Sequence, residues 1–328
     1  MQTRSIPVGL DEAGHSAQSC IDQSEEPTAL NLSANMRGAL LMMCSMAAFT
    51  LNDTFLKELA GQVHLFQVLA LRGALTTVLI AIVAWRMGAL HFRIPRGDQW
   101  LIGLRMVAEV GAAYFFLTAL FNMPIANVTA ILQSIPLAVT LCASLLFGEA
   151  LGWRRMIAIM VGFAGVMLIV QPGGAGFNGY SIYALIAVGF VVLRDLVTRR
   201  LSGSTHSLTV TFATTIAVTV SFGAASVTVD WVPMNTDQIL LIVKSSVMVM
   251  AAYLFSVMVM RVGEVSFVSP FRYTGLLWAL GLGWYVFDEW PSQLELTGAG
   301  IVVASGVFML YREGVAARRQ ARALAKSS

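Results

Sequence analysis

Charge is scarce in this 328-residue chain. Asp, Glu, Lys and Arg together make up 12% of it, against roughly 25% in an ordinary soluble domain. With 57% hydrophobic residues and a mean hydropathy of +0.74, the chain has too little polar surface to clothe a water-soluble body, and it is read as an integral membrane protein. Other absences narrow the class. The three cysteines, Cys20, Cys44 and Cys142, have neither metal-ligand nor redox spacing, and the four histidines form no HxxxH or HExxH pair. No metal, cofactor or nucleic acid is therefore expected. A GxxxxGK[ST] loop is missing, so nucleotide hydrolysis does not drive the protein. GxSxG is missing too, which leaves an intramembrane enzyme without a nucleophile and an expected catalytic set of none.

What is abundant arrives in apolar blocks of about 20 residues, the length a helix needs to cross a bilayer core. An outer-membrane barrel would show short alternating strands instead. Ten spans are expected, at 38–56, 65–85, 100–121, 125–147, 154–171, 179–198, 207–227, 239–260, 265–287 and 293–311. Residues 1–36 carry five acids against Arg4 and no apolar run, so a disordered cytoplasmic tail is expected there, and a basic cytoplasmic tail at 313–328. With the amino terminus inside, fifteen Lys and Arg fall on one side of the membrane and only Lys57 on the other. That asymmetry places both termini in the cytoplasm and the chain in the cytoplasmic (inner) membrane. Five of the seven tryptophans lie at span ends, while Trp278 and Trp284 must pack in the bundle or face lipid.

The chain also repeats itself. Asp53–His64 reads DTFLKELAGQVH, and Asp195–His206 reads DLVTRRLSGSTH, at an offset of 142. Ala112-Ala113-Tyr114 returns as Ala251-Ala252-Tyr253 at 139, and Phe147-Gly148-Glu149 as Phe287-Asp288-Glu289 at 140. The repeats occupy 37–172 and 173–312, five spans each. Because five is odd, the two copies enter the membrane from opposite sides. Two inverted five-helix repeats are an architecture of secondary transporters, in which similar halves exchange conformations across a midplane site.

The stretch Ala112–Phe116, with Met123-Pro124, Pro136, Leu145–Glu149 and Gly162–Val166, resembles the EamA family of the drug/metabolite transporter superfamily. The likeness covers residues 37–312 and is more degraded in the second repeat. It implies a ten-helix carrier with its cavity between the repeats, moving amino acids, riboflavin-like, nucleobase-type or S-adenosylmethionine-like compounds in either direction. A membrane sensor or assembly partner is the alternative reading, with an intramembrane enzyme behind it.

Five bases fall inside spans: Arg72, Arg105, Arg194, Lys244 and Arg272. At about 2.5–3.5 kcal/mol each, five lipid-facing charges would cost roughly 12–17 kcal/mol. They are therefore expected to face the bundle interior, an aqueous cavity or the headgroups. Arg105 and Glu109 are spaced to pair on one helix face, Arg72 is placed to pair with Asp53, and Arg194 is expected to snorkel, pointing away from Asp195. Arg272 lies in the cluster Ser269-Pro270-Phe271-Arg272-Tyr273, and the fourth span has Gln133-Ser134-Ile135-Pro136. Interrupted helices in matching places of two repeats point to a binding site. The expected substrate contacts are thus Arg272, Tyr273, Ser269, Pro270, Gln133, Ser134, Tyr114, Tyr253, Arg105 and Glu109, with Asp53 and Arg72 as a coupling or structural ion pair. Spans one, three, four, six, eight and nine would form the site. The excess of bases favours a small-molecule substrate bearing a carboxylate, phosphate or electron-rich heteroaromatic group. Protons or a counter-substrate as coupling partner, and a homodimer in the lipid bilayer, are left open.

Overall fold

The computed structural model describes residues 28–86, 95–148, 152–174, 177–202, 207–262 and 265–327. The described residues are helical throughout, connected by short turns: α1 (Thr28–Lys57), α2 (Leu65–Arg86), α3 (Arg96–Asn122), α4 (Ile125–Leu132), α5 (Ile135–Phe147), α6 (Trp153–Val170), α7 (Tyr180–Arg199), α8 (Ser207–Ser226), α9 (Thr236–Val262), α10 (Val265–Val268), a 3-10 segment (Ser269–Tyr273), α11 (Thr274–Phe287) and α12 (Gln293–Ser327). Nine helical stretches among them are long and apolar enough to cross a membrane, with α4 and α5 counted together. The tenth crossing, 265–287, is divided by the 3-10 segment.

The amino-terminal tail differs from expectation. α1 starts at Thr28, inside the stretch read as disordered, and residues 1–27 lie outside the described residues. At the other end α12 runs on to Ser327. Its last turns, GVAARRQARALAK, are rich in Ala, Arg, Leu, Gln and Lys, strong helix formers that carry the helix past the membrane.

The two internal breaks have local causes. Pro136 stands in the first turn of α5 and supplies no backbone N–H. Ser134 closes the gap by donating its hydroxyl to Ile131 O at 2.6 Å. Pro270 occupies the equivalent early position of the 3-10 segment, and Thr274 donates to Phe271 O at 2.6 Å just beyond it.

The largest helix interfaces pair α1 with α9, α3 with α7, α2 with α8, and α6 with α12. Every one joins the first repeat to the second. Exchanging the repeats converts the first pair into the second and returns the other two to themselves, as an inverted two-fold requires. Thr77 and Thr219 lie on that axis: their hydroxyls hydrogen-bond at 2.9 Å, and they are 142 residues apart, the repeat offset. Small residues allow the close crossings. A Cβ on Gly165 would meet Gly298 O, and a Cβ on Gly298 would meet Gly165 O, so α6 and α12 touch backbone to backbone.

Outward faces are apolar. Trp278 is 45% exposed, Trp284 60% and Tyr285 82%, which settles the two unplaced tryptophans as outward-facing. With Val78, Ile82, Leu145, Leu277 and others they form apolar surfaces suited to a lipid environment. The protein is a multi-pass membrane protein. Its helix ends gather at two faces, called below the Lys57 end and the Arg199 end.

Candidate functional site

Two chambers lie between the repeats. One, of about 570 Å³, extends toward the Arg199 end past Thr198, Arg199, Thr211 and Leu310. The other, of about 360 Å³, extends toward the Lys57 end past Asn52, Asp53, Leu56 and Leu117. They share a neck whose wall includes Arg72, Glu109, Arg194, Tyr253 and Arg272. Each chamber falls within the usual range of small-molecule sites.

The Lys57 end is tied shut. Lys57, 8% exposed, donates from Nζ to both carboxylate oxygens of Glu289 at 2.7 and 2.6 Å and to Met123 O at 2.6 Å. Its ammonium also sits 4.9 Å from the centroid of the Phe287 ring. Glu289 Oε2 accepts from Ile125 N at 3.3 Å, and Asn127 donates to Glu295 beside it. α1, the α3–α4 turn and the α11–α12 turn therefore meet at one buried ion pair. Further out, Gln67 exchanges two hydrogen bonds with the Val232 backbone at 2.9 and 3.1 Å.

At the neck the ion pairing differs from the expected pattern. Glu109 pairs with Arg194 at 3.5 Å instead of with Arg105, whose guanidinium reaches across to the Thr198 hydroxyl on α7. Arg194 does not snorkel. It turns back into the cavity and binds Asp195 at 2.9 Å, so these neighbours converge. A carboxylate on the adjoining α3 provides a better partner than distant headgroups. The pairing of Arg72 with Asp53 runs through Asn52, which accepts from Arg72 Nη2 at 3.2 Å and donates to Asp53 Oδ1 at 2.8 Å. Among the described residues, three donor groups on the wall have no partner, Arg72 Nε, Arg105 Nε and the Thr76 hydroxyl. Buried donors of this kind are free to meet a ligand that brings acceptors.

Of the residues singled out in the sequence, Arg72, Arg105, Glu109, Gln133, Tyr253, Arg272 and Asp53 line the chambers. Gln133 is held there by a hydrogen bond to Arg272 O at 3.2 Å. Five others lie elsewhere. Ser134 is buried and engaged with its own helix. Tyr114 packs among Phe66 and Phe115, with ring centroids at 6.0 and 5.2 Å. Tyr273 turns away from the neck, its hydroxyl against Gly306 on α12, where a Cβ would collide with it. With Pro270 it borders an apolar cleft beside α12, and Ser269 lies on neither chamber wall. The 3-10 turn advances about 120° per residue instead of 100°, so only Arg272 of this cluster faces the neck. Lys244 is outside the cavity as well, its ammonium 5.7 Å from the Phe55 ring centroid.

The sequence reading missed one wall entirely. Thr211, Thr214 and Thr215 of α8 and Thr76 of α2 line the larger chamber, so spans two and seven belong to the site, and Met309 and Leu310 bring in span ten. The signal was present in the five threonines of α8, three of which share an i, i+3, i+4 face.

The sequence profile of the EamA-like transporter family matches this chain twice, over residues 36–171 and 179–311. The S-adenosylmethionine uptake transporter of Rickettsia prowazekii is 22% identical over 285 residues, covering 86% of this chain and 95% of that protein. The riboflavin transporter of Vibrio cholerae is 26% identical over 288 residues, covering 87% and 96%. A pseudopaline exporter of Pseudomonas aeruginosa is 23% identical over 283 residues, covering 82% and 94%. A solved crystal structure superposes with a TM-score of 0.57 at 16% identity, over 83% of this chain and 96% of its own, and shares the fold. Two matched repeats, ten crossings and a cavity enclosed between inverted halves agree: the chain belongs to the EamA-like transporter family.

Proposed function

We propose that this protein is a gradient-driven carrier that moves a small polar or aromatic metabolite across the cytoplasmic membrane by alternating access, with both termini in the cytoplasm. The observation that carries the reading is the asymmetric cavity between the repeats, held shut at the Lys57 end by the buried Lys57–Glu289 pair and widening toward the Arg199 end. The fifteen-to-one distribution of bases supports a cytoplasmic Arg199 end, and on that reading the conformation is inward-facing. Exchange of the two repeats would generate its outward-facing counterpart.

The relatives' names supply the substrate candidates: S-adenosylmethionine, riboflavin and pseudopaline. Amino acids and nucleobase-type compounds extend the set. Those relatives include both uptake and export proteins, so the direction of transport is a property of the gradient to be measured. Asp53 and Glu109 are the carboxylates available for proton coupling; exchange against a counter-substrate is the other mode. A homodimer is compatible with this reading and is not required by it. The protein is not an enzyme in this account.

The test is counterflow. Proteoliposomes loaded with unlabelled S-adenosylmethionine, riboflavin, an amino acid or a nucleoside should accumulate the matching labelled compound above protein-free vesicles. Absence of accumulation across the panel favours a sensor or assembly partner, and chemical conversion of a panel compound by the purified protein in detergent favours an enzyme.

A further inference from the structure

Every carboxylate on the cavity wall within the spans is engaged by the protein itself. Glu109 and Asp195 both bind Arg194, and Asp53 binds Asn52. The donors are in the opposite condition. Among the described residues the Arg272 guanidinium has no hydrogen-bond or ion-pair partner, and Arg72 Nε, Arg105 Nε and the Thr76 hydroxyl are buried without one. Arg72 and Arg272 border both chambers, so they flank the neck between them. Beyond the neck, the smaller chamber presents Met46, Phe49, Phe116 and Leu132 beside Tyr253, an apolar and aromatic surface.

We propose that Arg72 and Arg272 form an anion receptor at the neck that takes the carboxylate of the transported compound, whose aromatic or aliphatic body fills the smaller chamber. A planar carboxylate matches the fork of guanidinium donors. Arg194, held by two acids, is a positioning residue that keeps those acids away from the ligand. Arg272 is exposed to the cavity and anchored through its backbone by Gln133, so its side chain can be changed without removing a structural contact.

The inference rests on the carrier reading for the cavity's being a substrate site, and a binding experiment in detergent separates the two. Purified protein is titrated with 4-phenylbutyrate and indole-3-propionate, with their carboxamides, and with 4-phenylbutylamine, following the melting temperature. The carboxylates should raise it; the amides and the amine should not. Arg272→Ala should keep the unliganded melting temperature and weaken carboxylate binding by at least about tenfold, as expected for a charge-assisted hydrogen bond. Arg272→Lys, which keeps the charge without the fork, should fall between. Silence of both carboxylates, an equal response to the amides, a response to the amine, or unchanged affinity in Arg272→Ala would each overturn the proposal. If counterflow of another compound persists alongside any of these, the carrier reading stands and the anion receptor falls.

Discussion

The two repeats agree where they pack and disagree where they meet the cavity. At the packing positions, mates exchange contacts across the axis: Thr77 with Thr219, and Gln133 with the Arg272 backbone 139 residues away. At the cavity, mates diverge. Asn52-Asp53 of the first repeat corresponds to Arg194-Asp195 of the second, Glu109 to Met248, Arg72 to Thr214, and Tyr114, packed on Phe66, to Tyr253, which meets Phe49 edge to face at 5.4 Å. The scaffold keeps the symmetry that alternating access needs, since both end states must be comparably stable. The site has no such need, because one substrate binds in one orientation. Substitutions at mated positions should therefore behave alike on the axis and unlike at the cavity.

The largest divergence is expected at the two ends. Lys57→Ala leaves the part-buried Glu289 carboxylate without its cation, and equilibrium unfolding in detergent should lose about 2–3 kcal/mol. Its mate Arg199→Ala, on an exposed helix end, should lose less than about 1 kcal/mol. The double variant Lys57→Met/Glu289→Gln should recover most of the loss, because removing both charges relieves the desolvation. Equal losses at positions 57 and 199 would contradict the assignment of a closed Lys57 end.

At the neck, Arg194→Ala strips two carboxylates of one partner and should lose about 2–3 kcal/mol, whereas the mate Asn52→Ala, which breaks two hydrogen bonds, should lose about 1–2 kcal/mol. On the axis, Thr77→Val and Thr219→Val should each lose about 1 kcal/mol. The double variant should lose little more than Thr219→Val alone, which removes the shared bond together with the Thr219 hydroxyl's bond to Thr215 O. The smallest effect, under about 0.5 kcal/mol, is expected for Lys244→Ala on an exposed face. A larger loss there would mean that Lys244 has a role its position does not suggest.

Much of the fold was legible because it follows one-dimensional rules. Apolar block length gave the crossings, and the recurrence of an Asp-to-His segment exposed the repeat. The expected spans agree with the helices to within a few residues apart from the extensions at both termini. The site was legible only in part. Which charges enter the bundle could be read in part: Arg72, Arg105 and Arg272 were expected at the site and line the chambers, whereas Arg194 was expected to snorkel and turns inward instead. Which charges pair could not, since Glu109 meets Arg194 across 85 residues and Lys57 meets Glu289 across 232. Lys57 illustrates the gap: in the sequence it entered only the expectation for topology, while its mating with the recurring Phe-x-Glu turn needs the packed helices. The threonines of α8 were overlooked because threonine is common in apolar spans, where its hydroxyl can return to the helix backbone, as Thr215 and Thr219 do.

The claim that the repeats exchange conformations is tested most directly by paired spin-label distances at mated positions. One pair, Glu58 and Val286, spans the Lys57 end; their mates Arg200 and Leu146 span the Arg199 end. In protein reconstituted with a substrate identified by counterflow, shifting the population should lengthen one distance as the other shortens. Two distances that stay fixed, or that change in the same direction, would contradict alternating access.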